Sequence, residues 1–459
     1  MPTEIANIPA PRPSAPPAAW LVATELLRGL GGALLLPWRG LQQWSRRGRL
    51  LAEVEGDLAR EAVLAPEDGS LALPARPLRL FVSCAEASGE IHACNLVVAL
   101  RALAEEAGAP EPELVGLGGE RLAALGVRTL GDPVSEARMG FAGVVGALPF
   151  YLELVHSAAA ELRSGAVDLF VGVDSPALHV PLARVARRCG VPTVQYITPQ
   201  YWGWAPWRAA GFRRAVDLAL SILPFEPAWF ARRGIDVAHV GHPLLDELEE
   251  SPRRRPPAEG PRTLALLPGS RRSVVERNLP IMLSLLEDAL GADDSWRVAV
   301  CAANERLRPA IEAAVAASSL GPERLGVEDD LEALLARSEG ALSVSGTILI
   351  HLLHRRLPAV VLYALENRLQ AWLGRRFLTV PWFSSVNLLA GRSVYPEFSF
   401  AGGAPPPACG AAVERLLGDA AWREHCRGEL EAAAGRLGPA GASRRAARAV
   451  LGQVSAHSA

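Results

Sequence analysis

Thr263 to Asn278 reads TLALLPGSRRSVVERN, and the interpretation of this stretch decides the fold. Leu264 to Leu267 form a short apolar run, Pro268-Gly269-Ser270-Arg271 follow, and a helix-like pattern comes next, so a buried strand hands over to a helix. Such a turn holds phosphate: Gly269 lets the backbone approach a ligand, free N–H groups open the helix, and Arg271 adds a forked cation. Taken alone it is also compatible with an ordinary turn carrying a solvated arginine. A second turn favours the phosphate reading. Ser345-Gly346-Thr347 follow the apolar Ala341-Leu342 and precede the run Ile348 to Leu353, giving another helix start lined with hydroxyls and a glycine. Two anion cradles in one half of the chain point to one diphosphate ligand.

Working outward, 459 residues are long for one core, and two globular units are expected. Half the residues are apolar and 21% are charged, the balance of a folded protein. The formal net charge of -2 gives no reason to expect nucleic acid as a partner. All 47 basic residues are arginines. Without a lysine there is neither a Walker-type phosphate lysine nor a Schiff base, which excludes P-loop hydrolases and pyridoxal-phosphate enzymes. The six cysteines show no CxxC pair, and buried free thiols are expected rather than disulfides or a zinc site. His92, His179, His242, His351 and His354 have no metal-ligand spacing, so no metal is expected.

In chain order, residues 1–77 read as an extension, disordered in its Pro- and Ala-rich first 19 residues and helical from Trp20 to Gly56. Glu25, Arg28, Gly31-Gly32 and Pro37 interrupt the apolar run, which argues against a spanning helix. Trp20, Trp38 and Trp44 with Arg39, Arg46, Arg47 and Arg49 suit a segment lying on an anionic membrane, and a helix packed on the protein body fits the pattern equally well. Residues 78–248 alternate strand and helix patterns and read as one doubly wound α/β domain. Residues 249–262, rich in Pro and charge, read as a linker. The alternation resumes over 263–410 as a second such domain across a cleft, and 411–459 read as C-terminal helices that either cross back onto the first domain or join a partner subunit.

Candidate chemistry sits at strand ends. Asp174, in Gly172-Val173-Asp174-Ser175-Pro176, reads either as a partly desolvated base for a hydroxyl proton or as a helix N-cap, and spacing alone favours the cap. Glu86 offers a second carboxylate, ahead of Ser88 and Gly89. The loop from Thr198 to Trp207 concentrates tryptophans that either stack on a sugar or acyl chain or form a packed cluster. The stretch Met139 to Val145 is a lipid contact if exposed and a core helix otherwise.

Taken in order, Glu86-Ala87-Ser88-Gly89, Gly118-Gly119, Met139-Gly140, Asp174-Ser175-Pro176, Thr198-Pro199 with Trp202 and Trp204, Leu223-Pro224-Phe225-Glu226, Gly241-His242-Pro243, Leu267 to Arg271, Ser345-Gly346-Thr347 and Asn387 to Arg392 resemble the lipid A disaccharide synthase family. The resemblance runs from about Leu78 to about Leu437 and implies the GT-B architecture, two Rossmann-like domains. It implies an inverting transfer from UDP-2,3-diacylglucosamine to 2,3-diacylglucosamine 1-phosphate, giving the β-1,6 disaccharide 1-phosphate and UDP. Asp174 would be the base, with Glu86 as the alternative. Gly269, Ser270, Arg271, Ser345, Gly346, Thr347, His351, Asn387 and Arg392 would hold the UDP, while Ser88, Gly89, Met139, Phe141, Trp202 and Trp204 would meet the lipid acceptor. No cofactor is implied. The expected partners are the acylated UDP-sugar, the lipid acceptor, the membrane surface and a second copy docked through the C-terminal helices. The expected location is cytoplasmic, peripheral on the inner face of the inner membrane of a Gram-negative cell.

Some positions depart from the family pattern. His351 and Val274 stand where the family carries glutamates, Gly143 replaces another, and the extension through residue 77 has no counterpart. A related GT-B enzyme with another sugar nucleotide or lipid acceptor, and a non-catalytic lipid-binding homologue, are therefore the alternatives.

Overall fold

The computed structural model describes residues 16–139, 144–248, 260–402 and 404–458. The chain divides into two compact units: residues 1–45, 60–246 and 439–459 form the first, residues 46–59 and 247–438 the second. Each is a parallel sheet in which every crossover carries at least one helix, because a strand buried on both faces must return through a covering element.

The first sheet contains β1 (Arg79–Ser83), β2 (Glu113–Leu117), β3 (Arg128–Thr129), β4 (Leu169–Val173), β5 (Thr193–Tyr196), β6 (Leu218–Ser221) and β7 (Val237–His239). Their order is β3-β2-β1-β4-β5-β6-β7, so the winding reverses between β1 and β4, where Ser83 pairs with Gly172. Leu80, Val82, Leu96 and Val171 are fully buried in the core beside it. The second sheet contains β8 (Arg262–Leu267), β9 (Trp296–Cys301), β10 (Leu325–Glu328), β11 (Ser338–Ser343), β12 (Ala359–Leu365) and β13 (Glu397–Ala401). Its order, β10-β9-β8-β11-β12-β13, reverses between β8 and β11, where Leu267 pairs with Ser343. In a doubly wound sheet the reversal opens a crevice beyond the carboxyl ends of the two strands, and that is where ligands bind.

The regions expected to stand apart are built into the two units. The helix Ala18–Leu34 packs against the helix Val144–Arg163, and Arg184 Nε donates to Glu25 Oε2 at 2.7 Å. Ala65 N donates to the carbonyl of His239 at 2.7 Å, tying the chain after the extension helices to β7. Residues 411–438 belong to the second unit, whereas the final helix, Ala442–Ser458, lies on the helix Ala87–Glu106 of the first. Ala446, Ala447, Val450 and Leu451 of that final helix are fully buried in the first unit's core. The Asp246 carboxylate accepts from Gly441 N, Ala442 N and Ser443 N at 2.7, 3.0 and 2.8 Å and caps its start. Of the two outcomes foreseen for the tail, crossing back is the one observed.

All six cysteines are free, and five are buried. Burial pushes the Cys84 and Cys426 thiols up to about 12, which leaves them protonated and inert. The linker expected at 249–262 falls outside the described residues up to 259, as does Phe141.

Candidate active site

Beyond β4 the backbone takes an uncommon path. Asp174 and Ser175 both adopt positive φ, 55° and 39°, and so does Ile197 just past β5, at 67°. Aspartate tolerates the left-handed region, but a β-branched isoleucine there is strained, and such strain persists only where surrounding bonds enforce it. Those bonds are present. Asp174 N donates to Tyr196 O at 2.9 Å, and the Asp174 carbonyl accepts from His179 Nδ1 at 2.6 Å and from Gln195 Nε2 at 2.9 Å. His179 is fully buried, and its Nε2 meets Ser83 Oγ at 3.0 Å. With Nδ1–H committed to a carbonyl, Nε2 is the acceptor and the imidazole is neutral; burial lowers its pKa to about 4. A neutral, doubly bonded ring therefore fixes the backbone beneath Asp174.

Asp174 lines a cavity of about 140 Å³ together with Thr198, Pro199, Trp204, Leu223 and Glu226. Burial raises its carboxyl above the ordinary aspartate range, the Ser175 backbone N–H opposes the rise, and the charge of Glu86 adds to it. A half-buried carboxylate at the reversal of a parallel sheet is placed to take a proton from a bound hydroxyl. The sequence favoured an N-cap at this position, but the left-handed Ser175 occupies the cap and no side chain caps the helix Pro176–Arg188. Glu86 is exposed at the opening of the helix Ala87–Glu106, with Ser88 exposed beside it. Gly89 is buried, and a Cβ there would lie 3.7 Å from Asp174 Cβ, so this helix abuts the end of β4. The Gly118-Gly119 pair has a packing cause: a Cβ on Gly119 would fall 2.5 Å from Glu90 Oε1, which accepts from Arg121 N at 3.1 Å.

Trp202 departs from expectation. It is buried, its Nε1 donates to Glu226 Oε1 at 3.1 Å, and its ring stands edge-on to Phe225 at 5.0 Å. It supports Glu226 from the interior and presents no stacking surface, because its buried indole N–H is held by that carboxylate. Trp204 is exposed at the cavity, with the Arg208 guanidinium 4.8 Å from its ring. Met139 ends the helix Pro133–Met139.

Glu226 is a group to which residue-by-residue reading gave no role; its only signal was the Leu-Pro-Phe-Glu string. Its Oε2 accepts from Ile222 N and Leu223 N at 3.1 and 3.0 Å, yet complete burial raises its pKa to about 7. The native state then keeps a proton that the unfolded chain releases from about pH 4.5 upward, so this residue's stabilising contribution falls as pH rises to about 7 and then levels, by of order 3 kcal/mol. Buried neutral histidines such as His179 act in the opposite sense, losing stability as pH falls below 6.5. The difference in melting temperature between wild type and Glu226→Gln isolates the carboxyl. Wild type is expected to lose ground steadily between pH 4.5 and 7, and a constant difference would show that Glu226 is ionised throughout.

In the second unit the two anion turns lie side by side. Val344 N donates to Leu267 O at 3.1 Å, and a Cβ on Gly269 would stand 3.3 Å from Val344 Cγ2 and 3.0 Å from Val274 Cγ1. Gly269 has φ +112°, a conformation closed to other residues. Arg271 opens the helix Arg272–Leu290, is exposed, and has no ion-pair partner among the described residues, whereas Arg272 Nε is tied to Glu276 Oε1 at 2.6 Å. Ser270, Gly346 and Thr347 are exposed, and no atom lies within 4 Å of a Cβ on Gly346. Ser345 Oγ donates to Phe383 O at 3.2 Å.

Three residues expected at the nucleotide have partners within the protein. Asn387 is fully buried, its Nδ2 donating to Tyr395 O and Glu397 Oε2 while Oδ1 accepts from Val394 N and Tyr395 N. With both ends of its amide occupied it cannot bind a ligand, and it secures the loop that carries Phe383 instead. Arg392 pairs with Glu429. His351 Nδ1 meets Glu332 Oε1 at 2.9 Å, and Glu332 also holds Arg355; these two partners pull the Glu332 carboxyl down to about 2.

Comparisons with known proteins bear on the family and the fold. The lipid-A-disaccharide synthetase family model matches residues 80–428. The lipid-A-disaccharide synthase of Myxococcus xanthus is 33% identical over 381 residues, covering 82% of this chain and 97% of its own length, and that of Anaeromyxobacter dehalogenans is 34% identical over 387 residues with the same coverage. Among solved structures, a UDP co-structure of S. aureus MnaA matches with a TM-score of 0.53 at 12% identity, covering 80% of this chain and 94% of that one. At that identity it speaks to the fold, two Rossmann-like units of the GT-B class.

Proposed function

The chain belongs to the lipid-A-disaccharide synthase family and is a glycosyltransferase of lipid A disaccharide formation; from that premise we propose that UDP-2,3-diacylglucosamine is the donor and 2,3-diacylglucosamine 1-phosphate the acceptor. The observation that carries the reading is Asp174, a carboxylate of raised pKa held by strained and doubly bonded backbone over a cavity. It takes the proton of the acceptor 6-hydroxyl as that oxygen attacks the donor's anomeric carbon from the face opposite UDP. The new bond forms as the bond to the diphosphate breaks, which inverts the centre and yields the β-1,6 disaccharide 1-phosphate. Glu86, exposed at the opening of the helix Ala87–Glu106, is the alternative base.

The departing diphosphate gains negative charge. Arg271, the hydroxyl of Ser270 and the first N–H groups of the helix Arg272–Leu290 supply the opposite potential. Two adjacent turns with a glycine at positive φ and an arginine with no ion-pair partner among the described residues support a diphosphate seat, and His351 Nε2 supplies a polar contact for the nucleoside sugar.

UDP release assayed against a panel of acylated UDP-sugars tests the assignment, alongside thermal-shift titration with UDP. Turnover with UDP-2,3-diacylglucosamine and a rise in melting temperature with UDP are expected. Turnover with a different sugar nucleotide would point to His351, where the family carries glutamate, as the residue that changed the donor. No response at millimolar UDP would count against a catalytic role.

A further inference from the structure

The family match begins at residue 80, and the curated relatives span 97% of their own length while covering 82% of this chain. The two helices Ala18–Leu34 and Leu36–Leu58 therefore precede everything that the shared reaction requires. They meet at a bend of 53°, and among the described residues no single helix is long and apolar enough to cross a membrane. Around the bend the large apolar side chains face outward: Leu34 is 82% exposed, Leu27 68% and Trp38 61%, with Leu30, Leu36 and Leu41 also exposed. Soluble surfaces seldom leave so many adjoining apolar side chains uncovered.

The opposite faces are committed to the protein. On the first helix Leu21 is fully buried, Glu25 is bonded to Arg184 and Arg188, and Thr24 Oγ1 accepts from Arg188 Nη1 at 2.7 Å. On the second, Gln43 is buried and its Nε2 donates to Trp204 O at 3.1 Å. A segment with one face ion-paired to the body cannot cross a bilayer, but it can lie on one. Charge selects the kind of surface: residues 26–52 contain five arginines and no acid, and Arg46 and Arg49 of the second helix are exposed.

We propose that this bend is a docking device for an anionic lipid bilayer, inserting Leu34, Leu35 and Trp38 below the headgroups while Arg39, Arg46 and Arg49 meet lipid phosphates. Trp38 precedes Gln43 by five residues, about 7.5 Å along the helix axis. The bend thus lies close to the cavity loop that Gln43 holds. If the cavity takes the lipid acceptor, which is the reading given above, docking brings its opening to the leaflet from which that lipid must come.

Flotation with phosphatidylcholine vesicles, with and without phosphatidylglycerol, tests the docking without reference to catalysis. Wild type is expected to float with the mixed vesicles and weakly with phosphatidylcholine alone. The triple variant Leu34→Ser, Leu35→Ser, Trp38→Ser removes only exposed side chains and is expected to bind roughly tenfold or more weakly. Arg46→Glu with Arg49→Glu is expected to lose binding to mixed vesicles alone, by roughly fivefold per arginine. The UDP-induced thermal shift should persist in both. Wild type that stays unbound, or a triple variant that floats as well as wild type, would overturn the proposal. So would a wild-type dimer that the triple variant dissolves while vesicle binding is unchanged, because a second copy would then be the occupant. Vesicle binding without a UDP shift would keep the docking surface and remove the donor assignment.

Discussion

Asparagine in place of Asp174 is expected to lower kcat by about 10²–10⁴-fold, the range for removing a positioned base, while UDP affinity stays at the wild-type level. The substitution isolates the proton transfer for a structural reason. Asp174 sits at φ 55°, which asparagine accepts as readily as aspartate, and the bonds that enforce the turn come from its backbone N–H and carbonyl. Alanine would add backbone strain to the chemical loss and confuse the two. In wild type the acid limb of the rate profile should lie above the ordinary aspartate value of 3.8, because burial disfavours the ionised base. Unchanged turnover in Asp174→Asn would pass the base role to Glu86 or to solvent.

The second large effect is on donor binding. Arg271→Ala is expected to weaken UDP by about 1.5–3 kcal/mol, the worth of a hydrogen bond to a charged group, or roughly 10- to 150-fold in Kd by calorimetry. Arg271 is exposed and has no ion-pair partner among the described residues, so its removal leaves the fold intact. Arg272→Ala is the control: its guanidinium is engaged by Glu276, and a change of less than about threefold is expected. Equal losses in both would mean that the helix start attracts anions through general charge and not through the turn.

The sheet interiors were legible in the sequence and their rims were not. β1, β4 and β8 are buried on both faces and announce themselves as continuous apolar runs such as LFVGV and TLALL. The strands that the sequence analysis does not pick out, β3, β7, β10 and β13, are the four edges of the two sheets. An edge strand is covered less completely, so EFSFA and LGVE carry polar residues that read as loop. The same limit applies to polar side chains. Asn387 and Trp202 were given ligand contacts because polar and aromatic residues in a loop are usually available to one; their bonds to Tyr395 and Glu226 arise between segments that sequence cannot bring together. His179 and Gln195, which hold the Asp174 backbone, were invisible for the same reason, since their function lies in what they touch.

The closing helix of the first unit has a consequence for how the protein is made. Val450 and Leu451 complete a core whose strands end at His239, yet they leave the ribosome only after roughly 200 further residues. At about 5–20 residues per second, that unit waits roughly 10–40 s for its last piece while residues 247–438 of the second unit are synthesised. During the wait the apolar face of the helix Ala87–Glu106 is bare, which makes the nascent chain a client for chaperones. A stop codon near residue 438 would leave the second unit complete and the first one, nearest the amino terminus, unable to close.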